Sequence, residues 1–337
     1  MNIKELHDIK ITPLLDTLQV LKLSDEEYFS SKYKDYVSNS RLSLIDPNRD
    51  GSPEKFFKGF QSTYNSSFLL GSAVHQLCLQ PERYKLAEGI DRPTAKLGLL
   101  ADKLYDICKG DTPNADIINS IAKVVDYYNG NLNDKQINNV LDKCKDYWLQ
   151  RRLFESTYDE DKELIYLDLK MSETVLNCVR EVFFNKYFQE LLYPTAILQT
   201  PESCSEQAIL LDLLVNDQFI IHFKAKVDNY YIDFDENKLC VNDLKTVSNV
   251  VSKIEENIVK FSYHREIAIY SWLLCLYCKK RYNMNPIVSG NYLVVSTIPG
   301  YYTKVRPLSK KDFIQGFNEF KYLIRLVAYY ISKGYEY

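Results

Sequence analysis

Apolar residues alternate with polar ones, or run in short blocks, most regularly in the middle of the chain. Ser205 to Val215 and Gln218 to Val227 carry the blocks Ile209-Leu-Leu and Phe219-Ile-Ile, the pattern of strands buried on at least one face. Tyr230 to Asn242 reads as strand, polar turn (Asp235-Glu-Asn-Lys238) and strand. Residues 286–307 are strand-like again, with Pro299-Gly300 at a turn. Outside this core the apolar period lengthens. Leu14, Leu15, Leu18 and Leu21 predict an amphipathic helix over 3–22, and helices are predicted at 67–79, 93–109, 113–128, 134–156, 172–192, 248–261 and 263–281. Asp46 to Pro53 is a loop; Ser309, with Asp312 at the third helical position, caps a last helix that Gly334 ends. The whole predicts an α/β chain with a mixed central sheet flanked by helices. Residues 1–66 form a helical N-terminal region, 67–337 the main domain, and a polar helical insertion lies at about 86–165.

Loop lengths in the central strands decide which side chains meet. A two-residue loop at Glu236-Asn237 sets position 228 opposite position 245. Side chains alternate, so Asp243 and Lys245 share a face, and Asp228 shares it with them. A three-residue loop, Asn216 to Gln218, would place Glu206 opposite Asp228; a two-residue loop would turn it to the other face, and the register stays open. Taken alone, a D-x-K in a strand is most often a solvated face, but the strands around this one are strongly apolar. Two carboxylates and an ammonium on one patch form a divalent-metal site with a built-in proton handler. That is chemistry for hydrolysing phosphodiesters.

These residues, in this order, resemble the PD-(D/E)XK nucleases, most closely the phage and RecE-type (lambda exonuclease-like) double-strand DNA exonucleases. Ser38-Asn-Ser40-Arg41-Leu is similar to the family's N-terminal S-x-S-x-L helix, and Gly71-Ser-Ala-Val-His75 looks like its G-x-x-x-H. Glu206, Asp228 and Asp243-x-Lys245 look like the catalytic core. Tyr263-His-Arg-Glu266-Ile-Ala-Ile-Tyr270 is similar to the supporting helix, with Glu266 where the family usually has Gln. The resemblance spans residues 36 to 275.

It implies a restriction-endonuclease-like core and Mg2+ as cofactor, with Mn2+ as substitute, held by Asp228, Asp243 and the carbonyl oxygen of Leu244. Glu206 would bind a second ion or reach the first through water. His75 would sit close to the active centre, contacting metal or scissile phosphate. Lys245 would orient the attacking water, because neighbouring carboxylates oppose the loss of its proton. The implied activity is resection of linear double-stranded DNA, 5′ to 3′, for phage-type homologous recombination. The implied partners are DNA ends and a single-strand annealing protein, and the implied assembly is a homo-oligomeric ring. The alternatives are a structure-specific or single-strand DNA nuclease on the same fold, or a non-catalytic DNA-binding relative.

Charge refines this expectation. The chain of 337 residues has a net charge of −3. Residues 245–337 carry 14 Lys/Arg against 6 Asp/Glu, which leaves 28 against 39 for residues 1–244. A basic surface beside the metal site suits a phosphate backbone. Candidate DNA contacts are Lys226, Lys253, Lys260, Arg265 and the Lys279-Lys280-Arg281 cluster, with Arg41 as the candidate reader of a terminal 5′-phosphate. Eight scattered cysteines read as reduced thiols; Cys275-x-x-Cys278 lies in an apolar helical pattern, so no iron–sulfur cluster is expected. The lack of a G-x-x-x-x-G-K-[ST] run argues against a bound nucleotide, and four isolated histidines argue against zinc. Neither a membrane-spanning run nor a secretory leader pattern is present, so the expected location is cytoplasmic, in a phage-infected or bacterial cell.

Overall fold

The structure, a computed structural model, describes residues 6–59, 66–194 and 202–335. Contacts divide the chain into two units, Met1–Ser62 with Glu181–Tyr337, and Thr63–Arg180. The strands among the described residues are β1 (Ile11–Leu21), β2 (Tyr84–Leu86), β3 (Glu163–Ile165), β4 (Glu202–Val215), β5 (Phe219–Asp233), β6 (Lys238–Val247), β7 (Ile287–Ser296) and β8 (Thr303–Pro307).

In the first unit, six strands form one mixed sheet in the order β1-β4-β5-β6-β7-β8, with helices packed on it. Every pairing is antiparallel except β6 with β7. A parallel pair needs a crossover connection, supplied here by the helices Ile254–Phe261 and Tyr263–Tyr282. Tyr263–Tyr282 is buried on most sides, and the last helix, Lys310–Ser332, packs against it. Leu211, Phe223 and Tyr230 of the sheet share one core with Leu273 and Leu274 of the first helix and Leu323 of the second. Ser309 forms the expected capping box with Asp312. Gly316 marks a close approach of the two helices, since a Cβ there would lie 2.1 Å from His264 O.

The expected helix over 3–22 is overturned: Ile11–Leu21 is the edge strand β1. Its register against β4 shifts between Leu14 and Gln19, and that bulge breaks the alternation, so the leucines fall at spacings that imitate a helix. Thr17 holds the bulge; its hydroxyl donates to Leu14 O and accepts from Asp212 N.

Both central hairpins have definite registers. Val215 pairs with Phe219, so Asn216 to Gln218 form a three-residue loop and Glu206 falls opposite Asp228. Asp233 pairs with Lys238, which makes the next loop four residues rather than the expected two. Asp233 Oδ1 takes the N–H groups of Asp235 and Glu236, a local side-chain cap that stabilises the longer turn. The register therefore sets Asp228 opposite Asp243, not Lys245. A slip of two residues preserves the face, which is why the two acids still share it.

The second unit is largely helical, with a short parallel pair, β2 and β3. Its core joins Leu100 and Leu104 of helix Ala95–Cys108, Ile118 of Ala115–Val124 and Val140 of Asp134–Thr157. Trp148 Nε1 donates to Ala101 O, and Arg92 is buried against Asp102. Residues 86–165 fall in this unit, and residues 1–62 fall in the unit that holds the sheet, where β1 is followed by short helices such as Asp25–Tyr28, Asn39–Leu42 and Pro53–Lys58. All eight cysteines are free thiols, Cys278 buried and Cys275 packed on the same core. No helix among the described residues is long and apolar enough to cross a membrane.

Candidate active site

β5 and β6 pair only from Asn229 to Asp233 against Asn242 to Lys238. Beyond that rung they part, and the candidate residues gather at the fork. On the edge of β5 that β6 vacates, Val37 forms a single bridge at Phe223: Val37 N donates to His222 O, and Lys224 N to Val37 O. Asp228 stands at the branch point, where its Oδ2 accepts from Leu244 N at 2.9 Å. The side chain thus satisfies a backbone donor that the departing strand has left behind. On the other side, Ser205 pairs with Asn229 and Gln207 with Val227, but Glu206 between them breaks the ladder with φ 54°. Such a left-handed residue costs roughly 1–3 kcal/mol and persists only where its surroundings enforce it. A carboxylate oxygen of Glu206 lies within 4.8 Å of one of Asp228.

Three buried asparagines pin the last paired rung. Asn229 and Asn242, each next to a candidate ligand, are joined by Asn242 Nδ2 donating to Asn229 Oδ1 at 2.9 Å. Asn291 Nδ2 extends the ladder to Asn242 Oδ1 at 3.0 Å. Asn242 Nδ2 also donates to Leu191 O and Asn229 Nδ2 to Leu192 O, at the end of helix Lys186–Leu192. Asn229 Nδ2 reaches Ser205 Oγ as well, and Asn291 Nδ2 reaches Cys240 Sγ. Residues 195–201, beyond that helix, lie outside the described residues.

On β6, Asp243 is fully buried and Lys245 reaches it from the same face, Nζ to Oδ2 at 3.0 Å. The contact is an ion pair without hydrogen-bond geometry, and neither oxygen of Asp243 accepts a hydrogen bond among the described residues. Lys245 Nζ does donate to Glu266 Oε2 at 3.0 Å and lies over the ring of Tyr263, 4.7 Å from its centroid. Tyr270 OH donates to Glu266 Oε1. Tyr263, Glu266 and Tyr270 are spaced to share one stripe of their helix, and the Tyr263 and Glu266 side chains meet Lys245. Burial pushes the Asp228 carboxyl up to about 7, with Lys245 opposing and Glu206 adding to the rise. Burial likewise holds Asp243 well above the ordinary carboxylate range. Burial works to lower the Lys245 ammonium, but Asp243, Glu266 and Asp228 override it and hold the proton on.

An oxygen-only donor set with a buried, hydrogen-bond-free carboxylate fits a hard divalent cation. A cation held there would offset the cost of the buried Asp243 charge and of the half-buried Asp228 beside it.

The remaining expected residues fall in varied places. Lys226 is not a surface cation: its Nζ lies 2.7 Å from Glu206 Oε2 and 2.5 Å from Asp25 Oδ1. Asp25, unforeseen, opens the short helix Asp25–Tyr28, which β5 grips twice, since Lys224 Nζ donates to Tyr28 O. Arg41 is buried, donating to Lys34 O at 2.6 Å and lying over Phe56, so its guanidinium is committed inside the fold. Arg265 is fully buried, bound to Asn39 Oδ1, Asp46 Oδ2 and Ser43 Oγ. It anchors the N-terminal segment to the supporting helix and faces no solvent. Lys253 pairs with Glu256, and Lys260 is exposed beside Phe261. Lys279, Lys280 and Arg281 are exposed at the far end of the supporting helix, about 25 Å from Tyr263 at 1.5 Å per residue, with Lys280 donating to Asp16 O and Leu18 O. Half-buried His75 lies on helix Ser66–Leu79 of the second unit.

Lys224 supports a pH prediction. Burial lowers its ammonium to about 8, with Arg41 adding to the effect, from an ordinary 10.5. Between those values the unfolded chain binds more protons, so this residue's contribution to stability rises with pH. The difference in urea stability between wild type and Lys224→Met should move toward the wild type across that window. A difference that stays flat would show that Lys224 is not desolvated.

No family model matches this chain, and no curated protein does. Among solved structures, one bearing the name "Putative exonuclease", from Eubacterium rectale, aligns over 88% of this chain and 82% of its own, with 9% identity and a TM-score of 0.45.

Proposed function

We propose that this chain is a metal-dependent deoxyribonuclease that hydrolyses phosphodiester bonds at the fork between β5 and β6. The observation that carries this reading is the gathering at the fork of Asp228, with Glu206 within 4.8 Å and its Oδ2 on Leu244 N, next to Asp243, with Lys245 clamped between Asp243 and Glu266. Asp228 and Asp243 would hold Mg2+, with the Leu244 carbonyl oxygen completing the protein's share and Glu206 alongside. The ion supplies Lewis acidity and an acidified water at neutral pH. Leu244 N–H fixes one oxygen of Asp228 and so holds the side chain at the fork. Glu266 and the Tyr263 ring hold the Lys245 ammonium beside Asp243, where it orients water and offsets charge developing on the phosphate. Its retained proton makes it an electrostatic group rather than the base. By the family resemblance, the finer reading is 5′ to 3′ resection of linear duplex DNA by a homo-oligomeric ring working with an annealing protein.

Mg2+ or Mn2+ should support cleavage, Ca2+ should support DNA binding without turnover, and EDTA should abolish cleavage. A time course on linear, nicked and covalently closed circular duplex, labelled at either strand end, checks both levels. Activity that survives exhaustive EDTA would sink the metal reading, and equal cutting of circular and linear DNA would sink the exonuclease reading.

A further inference from the structure

The site holds a second lysine that mirrors the first. β5 reads Lys226-Val-Asp228 and β6 reads Asp243-Leu-Lys245. On each strand the lysine lies two residues from the aspartate, on the same face and on the side away from the last paired rung, Asn229 with Asn242. Each lysine is clamped by two carboxylates: Lys245 by Asp243 and Glu266, Lys226 by Glu206 and Asp25. The Lys226 and Glu206 side chains are only 13% and 12% exposed, so this contact is poorly screened by solvent. Glu206 is also the residue held in a left-handed conformation, within 4.8 Å of Asp228. Its carboxylate thus reaches toward the candidate metal centre on one side and is met by a fixed ammonium on the other.

We propose that Lys226 is the built-in second cation of this site, holding Glu206 and restricting the centre to a single divalent ion at Asp228 and Asp243. This rests on the metal-dependent reading above. A second divalent ion on Glu206 would have to lie close to the Lys226 ammonium in a desolvated setting, where like charges repel strongly. Asp25 is the positioning residue that keeps the lysine side chain extended toward Glu206, and its own place is set by the Ser24–Glu27 capping box and by Lys224 at the other end of the same turn. The sequence carried no local sign of this, because Asp25 and Lys226 are 201 positions apart.

Mn2+ binding to the full chain without DNA, counted by calorimetry and by electron paramagnetic resonance, tests the proposal. Wild type should bind one ion per chain, and Asp243→Asn should bind none. Lys226→Met should bind two, and the slope of cleavage rate against Mn2+ concentration should steepen from first toward second order. Lys226→Arg should restore one ion. Asp25→Asn, which leaves every candidate ligand in place, should admit the second ion more weakly and serves if Lys226→Met does not fold. Two ions in the wild type, or one ion with unchanged affinity in both Lys226→Met and Asp25→Asn, would overturn the role of Lys226. Binding that is absent from the wild type, or unaffected by Asp243→Asn, would instead remove the metal-site reading on which it rests.

Discussion

Asp243→Asn is expected to abolish cleavage while leaving the metal-free protein at least as stable as the wild type, whereas Lys245→Met is expected to lose both. The two residues touch, yet their stability effects differ in sign. Asp243 is a buried carboxylate with no hydrogen bond to either oxygen among the described residues and one ion pair. Replacing it with a neutral isostere removes a desolvated charge from a cluster already rich in negative groups. It also removes a ligand that the proposed chemistry requires. Lys245 is the cation that Asp243 and Glu266 share. Its loss leaves buried Asp243 and half-buried Glu266 without their shared cation, and breaking a buried pair in this way typically costs about 3–5 kcal/mol. Mg2+ should recover part of that loss, because a ligand that binds only the folded state stabilises it by mass action. Urea denaturation with and without Mg2+, alongside a cleavage assay, separates the two. Wild-type cleavage by Asp243→Asn would remove the site assignment, and wild-type stability of Lys245→Met would show that the carboxylates are solvated.

Gly316→Ala should destabilise the protein by about 3 kcal/mol or more. The added methyl would lie 2.1 Å from His264 O and 2.9 Å from Arg265 Cα, both backbone atoms that no rotamer change can move. The helix Lys310–Ser332 must therefore shift away from the supporting helix, and the shift occurs one residue from Glu266. Activity should fall further than stability alone explains, because Glu266 positions Lys245. Comparing cleavage at a temperature where the variant remains folded isolates that part. An unperturbed midpoint for Gly316→Ala would show that the two helices are not in contact at this glycine.

Much of the sheet unit was legible from local pattern. Two-residue alternation placed β4 through β8, and the Ser309–Asp312 capping box marked the last helix, because these are short-range preferences of the chain itself. The shared face of Asp228, Asp243 and Lys245 was legible too, since any slip of two residues preserves it. The β1 strand was not, because a bulge made its leucines imitate a helix. Arg41, Lys226 and Arg265 looked like surface cations on composition. Their burial depends on Lys34, Asp25, Glu206, Asn39, Ser43 and Asp46, some of them some 200 positions away in sequence.

The sequence by itself determined which residue types stand at the fork and on which face of the strands they point, because backbone alternation is a local property. Only the tertiary structure decided that β5 and β6 part beyond Asn229, that Glu206 is left-handed at the fork, and that the N-terminal segment covers the edge of β5 that β6 vacates. Those features arise from competition between strand pairings far apart in the chain: β6 continues along β7 while β5 continues along β4. Two carboxylates, Asp243 buried and Asp228 half-buried, end up at the divergence because the backbone partners that would have filled the space have gone to other strands.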